Sequence, residues 1–210
     1  VVAGSSKIMA DDYESYATDE IKHYLALICE HNARMKRLIE DLLTLSALES
    51  GGPAPNEERV ALQPLLNSIL GDAQALSAGR HEIVLTVGEP SAIGGCANEL
   101  RSAFSNLAGN AVRYTPQGGR IDLIWRVQNG FGEFVVADTG IGIAEHHLPR
   151  LTERFYRVDR SRSRETGGTG LGLAIVKHVL TRHHASLEIE SEPGKGSRFI
   201  ARFPERYLMA

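Results

Sequence analysis

From Thr18 to Ser50 the chain carries an apolar seam that only a helix presents on one side. Ile21, Leu25, Ile28, Asn32, Met35, Ile39 and Leu42 recur at alternating spacings of four and three, the pattern of a helix packed along another helix. Leu38 and Leu45 are expected to widen this face. One helix cannot bury such a stripe by itself, so a partner must come from within the chain or from a second copy. Gly51-Gly52-Pro53-Ala54-Pro55 then stops the helix and reads as a linker. Upstream, Val1 to Met9 and the acidic turn Asp11-Asp12 read as the tail of a preceding helix.

After the linker the periodicity changes. Leu62 to Leu76 is expected to be helical, Glu82 to Val87 a strand and Glu99 to Arg113 a second helix. Ile121, Leu123, Trp125 and Val127 alternate as in a half-buried strand. Phe134 to Ala137 is its hairpin partner across Asn129-Gly130. Gly170 to Arg182 is read as a helix, and Leu187 to Glu190 pairs with Arg198 to Phe203 around Pro193-Gly194-Lys195-Gly196. Helices interspersed with antiparallel hairpins imply an α+β fold. The expected form is a two-layer α/β sandwich, a mixed sheet with helices on one face.

The 210 residues suffice for one packed domain and a smaller element. A net charge of -3 argues against a broad nucleic-acid-binding surface. Cys29 and Cys96 lack metal-ligand or CxxC spacing and read as buried free thiols of a reducing compartment. No apolar run reaches the roughly 18 residues of a membrane span. A start at Val1 rather than Met reads as an excerpt of a longer protein.

Four segments carry chemistry. Asn106 and Asn110 stand four apart in a helical stretch, so their amides share a face. Such neutral oxygens can join a Mg²⁺ shell while phosphates supply the anionic ligands. An exposed polar helix face is the competing reading. Asp138 ends an apolar strand before Thr-Gly-Ile-Gly. A carboxylate there can accept the adenine N6 hydrogen, and Gly140 and Gly142 permit close approach. Asp-x-Gly is also a common turn. Gly168-Thr169-Gly170-Leu171-Gly172-Leu173 runs into a helix, which offers backbone N–H groups and a positive dipole end to phosphate. It has neither dinucleotide-fold nor P-loop spacing. Between Asp138 and Gly168, arginines at 150, 154, 157, 160, 162 and 164 surround Phe155 and Tyr156, a composition that suits a mobile lid or a solvated basic surface.

In this order, NLAGNAVRYT, DTGIG, Phe155-Tyr156-Arg157 and GTGLGL resemble the N, G1, F and G2 boxes of sensor histidine kinases, within the GHKL ATPase superfamily. LTERFYRVDRSRSRETGGTGLGLAIVKH is similar to the phosphate-regulon sensor kinases, and RMKRLIEDLLTLSALES resembles the second helix of their dimerisation and phosphotransfer hairpin. The resemblance implies a Bergerat-type ATP-binding domain over 60–210, a linker over 51–59, and part of the helical hairpin over 1–50. It implies ATP and Mg²⁺ as cofactors. Asn110 would be the metal ligand and, with Arg113, the catalytic pair. Asn106, Tyr114, Asp138, Gly140, Gly142, Ile143, Phe155, Arg162 and the run Gly168, Thr169, Gly170, Leu171, Gly172, Leu173 would complete the nucleotide site. Phe155 would anchor the lid by apolar packing. The implied partners are a response-regulator receiver domain and a second copy of the chain. The implied location is the cytoplasmic side of a bacterial inner-membrane parent.

The family's phosphoacceptor motif, of the type HELRTPL, is absent, and neither His23 nor His31 sits in such a context. The acceptor is therefore expected upstream, and the fragment is expected not to phosphorylate itself. Two other readings stand beside this one. A hydrolytic ATPase of the gyrase, mismatch-repair or chaperone kind would use Glu99 as its base. A dimerising module would bind no nucleotide.

Overall fold

The computed structural model describes residues 19–50, 58–158 and 168–209. The expected tail over Val1 to Met9, the turn Asp11-Asp12, the linker Gly51 to Pro55 and arginines 160, 162 and 164 lie outside the described residues. Helix α1 (Asp19–Glu49) comes first, followed by β1 (Glu58–Ala61), α2 (Leu62–Ser77), β2 (Glu82–Val87), β3 (Ala92–Gly95) and α3 (Ala97–Tyr114). Then come β4 (Arg120–Gln128), β5 (Phe131–Asp138), a 3₁₀ turn (Glu145–Arg150) and α4 (Gly172–Arg182). The chain closes with β6 (Ser186–Glu192), β7 (Gly196–Pro204), a second 3₁₀ turn (Glu205–Tyr207) and β8 (Leu208–Met209).

The principal sheet has the order β2-β4-β5-β7-β6. Only β2 and β4 run parallel; the other pairs are antiparallel. Asn129 and Gly130 both take positive φ, 53° and 77°, as a two-residue turn matched to strand twist requires. One sheet face carries Ile121, Leu123, Trp125, Phe134, Val136, Phe199 and Phe203 into a core shared with α2, α3 and α4. Phe104 of α3 is fully buried, stacked on Phe134 at 4.2 Å and edge-on to Phe203 at 6.0 Å. The Trp125 indole N–H donates to the Pro90 carbonyl at 2.8 Å. The expected two-layer sandwich, helices on one face of a mixed sheet, is what the chain forms.

A second sheet, β1-β3-β8, has no counterpart in the sequence reading. Its strands span two to four residues. All four positions of β3 are buried, so no alternation marks it. Helix α4 begins at Gly172, two residues later than expected, because Gly170 has φ +76° and cannot continue a right-handed helix.

The opposite sheet face buries Val135 and Ile200 and carries a polar group organised around Glu133. Its side chain is 1% exposed and accepts from Arg126 Nε and Nη2 at 2.9 and 2.8 Å and from Arg202 Nε at 2.8 Å. Arg202 reaches on to Glu188 at 2.8 Å. Burial pushes the Glu133 carboxyl up, but the two arginines outweigh it, and the net direction is down. A carboxylate held low contributes stability above its unfolded pKa and loses it as pH falls through the folded value. Glu133→Ala is expected to cost about 1–3 kcal/mol at neutral pH. Urea melts should show that difference narrowing as pH falls below the ordinary carboxylate range.

Along α1, Ile21, Ile28, Met35, Ile39 and Leu42 stay 40% to 59% exposed, so the seam finds no partner among the described residues. Leu45 departs from expectation. It turns away from the seam and is buried with Leu48 against the domain core, at 3% and 8% exposure. The stripe that docks onto the domain is thus distinct from the seam. Cys29 and Cys96, expected to be buried, are free thiols that are only half-buried.

Candidate nucleotide site

The last turns of α3 place Asn106, Asn110, Arg113 and Tyr114 on the wall of one cavity. The glycine run supplies Gly168, Thr169, Gly170 and Gly172 opposite them, and Arg157 adds a guanidinium. Asn106 is braced by donating from Nδ2 to the Ser102 carbonyl at 2.9 Å. Its Oδ1 lies so close to Gly172 that a Cβ there would come within 2.5 Å of it. The Leu171 N–H donates to the Thr169 hydroxyl at 3.2 Å, and the Phe155 N–H to the Gly170 carbonyl at 2.9 Å. Burial, and next the charge of Arg37, hold the Arg113 guanidinium below its ordinary value.

A second cluster joins this cavity at Tyr114. The Ile141 N–H donates to the Tyr114 carbonyl at 3.2 Å, which ties the loop after β5 to the end of α3. Gly140 is needed there, since a Cβ would stand 2.5 Å from Asp138 Oδ1 and 2.6 Å from the Tyr114 carbonyl. Asp138 Oδ1 accepts from the N–H groups of Gly140 at 2.8 Å and Ser197 at 3.3 Å. Burial pushes the Asp138 carboxyl up against these two lowering bonds. Gly142, at φ +66°, packs directly on the Glu192 carbonyl, and the Ile143 N–H donates to the Ser191 hydroxyl at 2.8 Å.

The expected residues therefore gather in two adjoining groups. Asp138, Gly140, Gly142 and Ile143 form one, and the Asn, Arg and glycine-run residues form the other. Leu171 is fully buried in the core and Leu173 packs against it, so their side chains serve the scaffold. Phe155 departs from its expected anchoring role: it is 57% exposed with φ +60°, and the anchor is its backbone bond to Gly170. Among the described lid arginines, Arg157 faces the cavity, while Arg150 pairs with Glu153 at 3.1 Å and Arg154 with Glu49. Arg162 lies outside the described residues. Glu99 is engaged elsewhere, 3.2 Å from Arg182 and 3.8 Å from His183 Nδ1, and does not line the cavity.

The sequence reading places α1 as a helix but not as a wall of this cavity. Arg37, Glu40 and Asp41 line the same cavity, and Asp41 accepts the Thr169 hydroxyl at 2.6 Å. Glu49 of α1 also stands 3.3 Å from His178 of α4. The available signal was the spacing of Arg37 and Asp41, four apart and off the apolar seam, which puts both on one polar face.

The sheet, the asparagine-bearing helix and the glycine run define a class of nucleotide-dependent ATPases. The sequence profile of the histidine kinase-, DNA gyrase B- and HSP90-like ATPases matches residues 95–207, more than half of the chain, and the chain belongs to that family. Within it, the chain is 50% identical over 204 residues to the phosphate regulon sensor protein PhoR of Pseudomonas aeruginosa, covering 97% of this chain and 46% of that protein. It is 36% identical over 210 residues to PhoR of Haemophilus influenzae, covering 100% of this chain and 49% of the relative. The chain thus spans about half the length of the curated relatives it matches. The crystal structure of full-length ShkA in complex with AMPPNP superposes with a TM-score of 0.75 at 24% identity, over 100% of this chain and 47% of that one. Among the described residues, no helix is long and apolar enough to cross a membrane.

Proposed function

We propose that this chain is the ATP-binding catalytic portion of a two-component sensor histidine kinase, with residues 60–210 as the ATP-binding domain and 1–50 as part of the dimerisation hairpin. The observation that carries the reading is the convergence of Asn106, Asn110, Arg113 and the Thr169-Gly170 backbone on one cavity, with Asp138 behind Tyr114. Asp138 Oδ1 is taken by two backbone donors, and among the described residues none donates to Oδ2. Oδ2 is free to accept the N6 hydrogen of adenine. The amide of Asn110 is a hard oxygen donor suited to Mg²⁺, and among the described residues no cluster of three acidic, His or Cys groups competes for it. When bound there, Mg²⁺ neutralises charge on phosphate oxygens.

A neutral imidazole nitrogen forms a bond to the γ-phosphorus in line as the bond to the β–γ bridging oxygen breaks, and ADP leaves with that oxygen. The transition state is loose, so this chain's work is positioning and charge neutralisation. Asp138 sets the position of the base, Asn106 holds the shape of the glycine run, and Arg113 and Arg157 face the phosphates. The acceptor histidine lies outside these 210 residues, so the fragment binds ATP without phosphorylating itself. The phosphoryl group then passes to an aspartate of a response-regulator receiver domain, on the cytoplasmic side of a membrane-anchored parent. The likeness to PhoR favours a role in phosphate-limitation signalling. The exposed seam of α1 suits a second copy of the chain.

Asp138→Asn tests this assignment. Loss of a charged acceptor should weaken adenine-nucleotide binding about 10- to 100-fold. The fold should be unharmed or slightly more stable. A buried carboxyl with a raised pKa favours the folded state below its unfolded pKa and loses that contribution as pH rises through the folded value. Asparagine removes the charge. Calorimetric titration and a thermal melt read both effects, and unaltered affinity would remove Asp138 from the site.

A further inference from the structure

We propose that Arg37, delivered by α1, is a phosphate-contacting residue of the nucleotide site; this rests on the nucleotide reading above and extends it to a residue outside the ATP-binding domain. Arg37 stands on the same cavity wall as Arg113 and Arg157. Its Nε is shielded from solvent and makes no hydrogen bond. Guanidinium nitrogens are donors only, and a buried donor without an acceptor is costly. The neighbouring charges make the need for an anion plainer. The charge of Arg37 disfavours that of Arg113, and the charge of Arg34, also on α1, disfavours that of Arg157.

The two carboxylates on the cavity wall do not meet that need. Glu40 lies 3.9 Å from Lys36, and Asp41 is held at 2.6 Å by the Thr169 hydroxyl. Asp41 sits one helical turn from Arg37 and makes no hydrogen bond to its Nε. Cavity volume narrows the ligand. The space is about 110 Å³, well under the roughly 300–1,000 Å³ of a site that encloses a whole small molecule. It suits the tail of a nucleotide, while the base lies towards Asp138. A phosphate oxygen pair offers the planar guanidinium the two-pronged acceptor that it fits best. Triphosphate then links α1 to α3 and the glycine run, whereas AMP does not reach.

Titration of the 210-residue chain with AMP, with ADP and with Mg²⁺-AMPPNP tests this, in wild type, Arg37→Ala, Arg37→Lys and Asp138→Asn. Arg37→Ala should weaken AMPPNP by about 10- to 100-fold and leave AMP unchanged, with no loss of melting temperature in the nucleotide-free protein. Arg37→Lys should recover part of the loss. Equal weakening of AMP and AMPPNP, or AMPPNP affinity that is unaltered or tighter in Arg37→Ala, overturns the assignment. Asp138→Asn should weaken AMP and AMPPNP alike. If wild type binds no adenine nucleotide, the nucleotide reading itself falls and this assignment falls with it.

Discussion

Asn110→Ala is expected to reduce phosphoryl transfer about a hundredfold or more, because a metal's stabilisation of transition-state charge amounts to several kcal/mol. Asn110 lies in the third turn of α3 after Glu99, on the stripe that also presents Asn106 and Arg113 to the cavity. Alanine is a good helix former, so α3 should persist. The assay supplies a separate polypeptide bearing an HELRTPL-type helix, with ATP radiolabelled at the γ-phosphate. Wild type should give acid-labile, base-stable label on that polypeptide. Label undiminished by Asn110→Ala would exclude this amide as the metal ligand. Steady ATP hydrolysis abolished by Glu99→Gln, without transfer to histidine, would favour the gyrase-like alternative. The geometry speaks against that outcome, since Glu99 is paired with Arg182 at 3.2 Å and faces α4.

The largest loss of stability is expected from Phe104→Ala, about 3–5 kcal/mol. Phe104 is fully buried where α3 meets the sheet, between Phe134 and Phe203. Its removal sacrifices ring contacts with two strands at once, and those strands also carry Asp138 and Ser197, which are hydrogen-bonded to each other. With total stabilities of roughly 5–15 kcal/mol for domains of this kind, the variant should melt far below wild type. Urea titration gives the difference directly. A change under about 1 kcal/mol would mean that the aromatic cluster is not the centre of the core.

Much of this architecture is legible in the amino-acid sequence. Strong periodicity gave away α1 and β4, and Asn129-Gly130 marked a hairpin because two successive positive φ angles demand such residues. Two of the box glycines stand where only a residue without a side chain fits, since a Cβ on Gly140 would strike Asp138 and Tyr114 and one on Gly172 would strike Asn106. Unreadable parts fail for physical reasons. Strands β1, β3 and β8 are too short or too fully buried to alternate. Phe155 looks like an apolar anchor in sequence, yet the contact that holds it is made by its backbone. Leu45 has the type and spacing of a seam residue, and only the docking of the domain decides which side of α1 it serves. The entry of Arg37 and Asp41 into the cavity depends on that same docking, which local pattern does not encode.

Helix α1 spans 31 residues, a rod about 46 Å long at 1.5 Å per residue. One side of it is the apolar stripe left exposed among the described residues, and another is a wall of the cavity. Any roll of this rod about its long axis shifts both surfaces together, so a twist delivered at the Asp19 end arrives at Arg37 and Asp41 without an intervening joint.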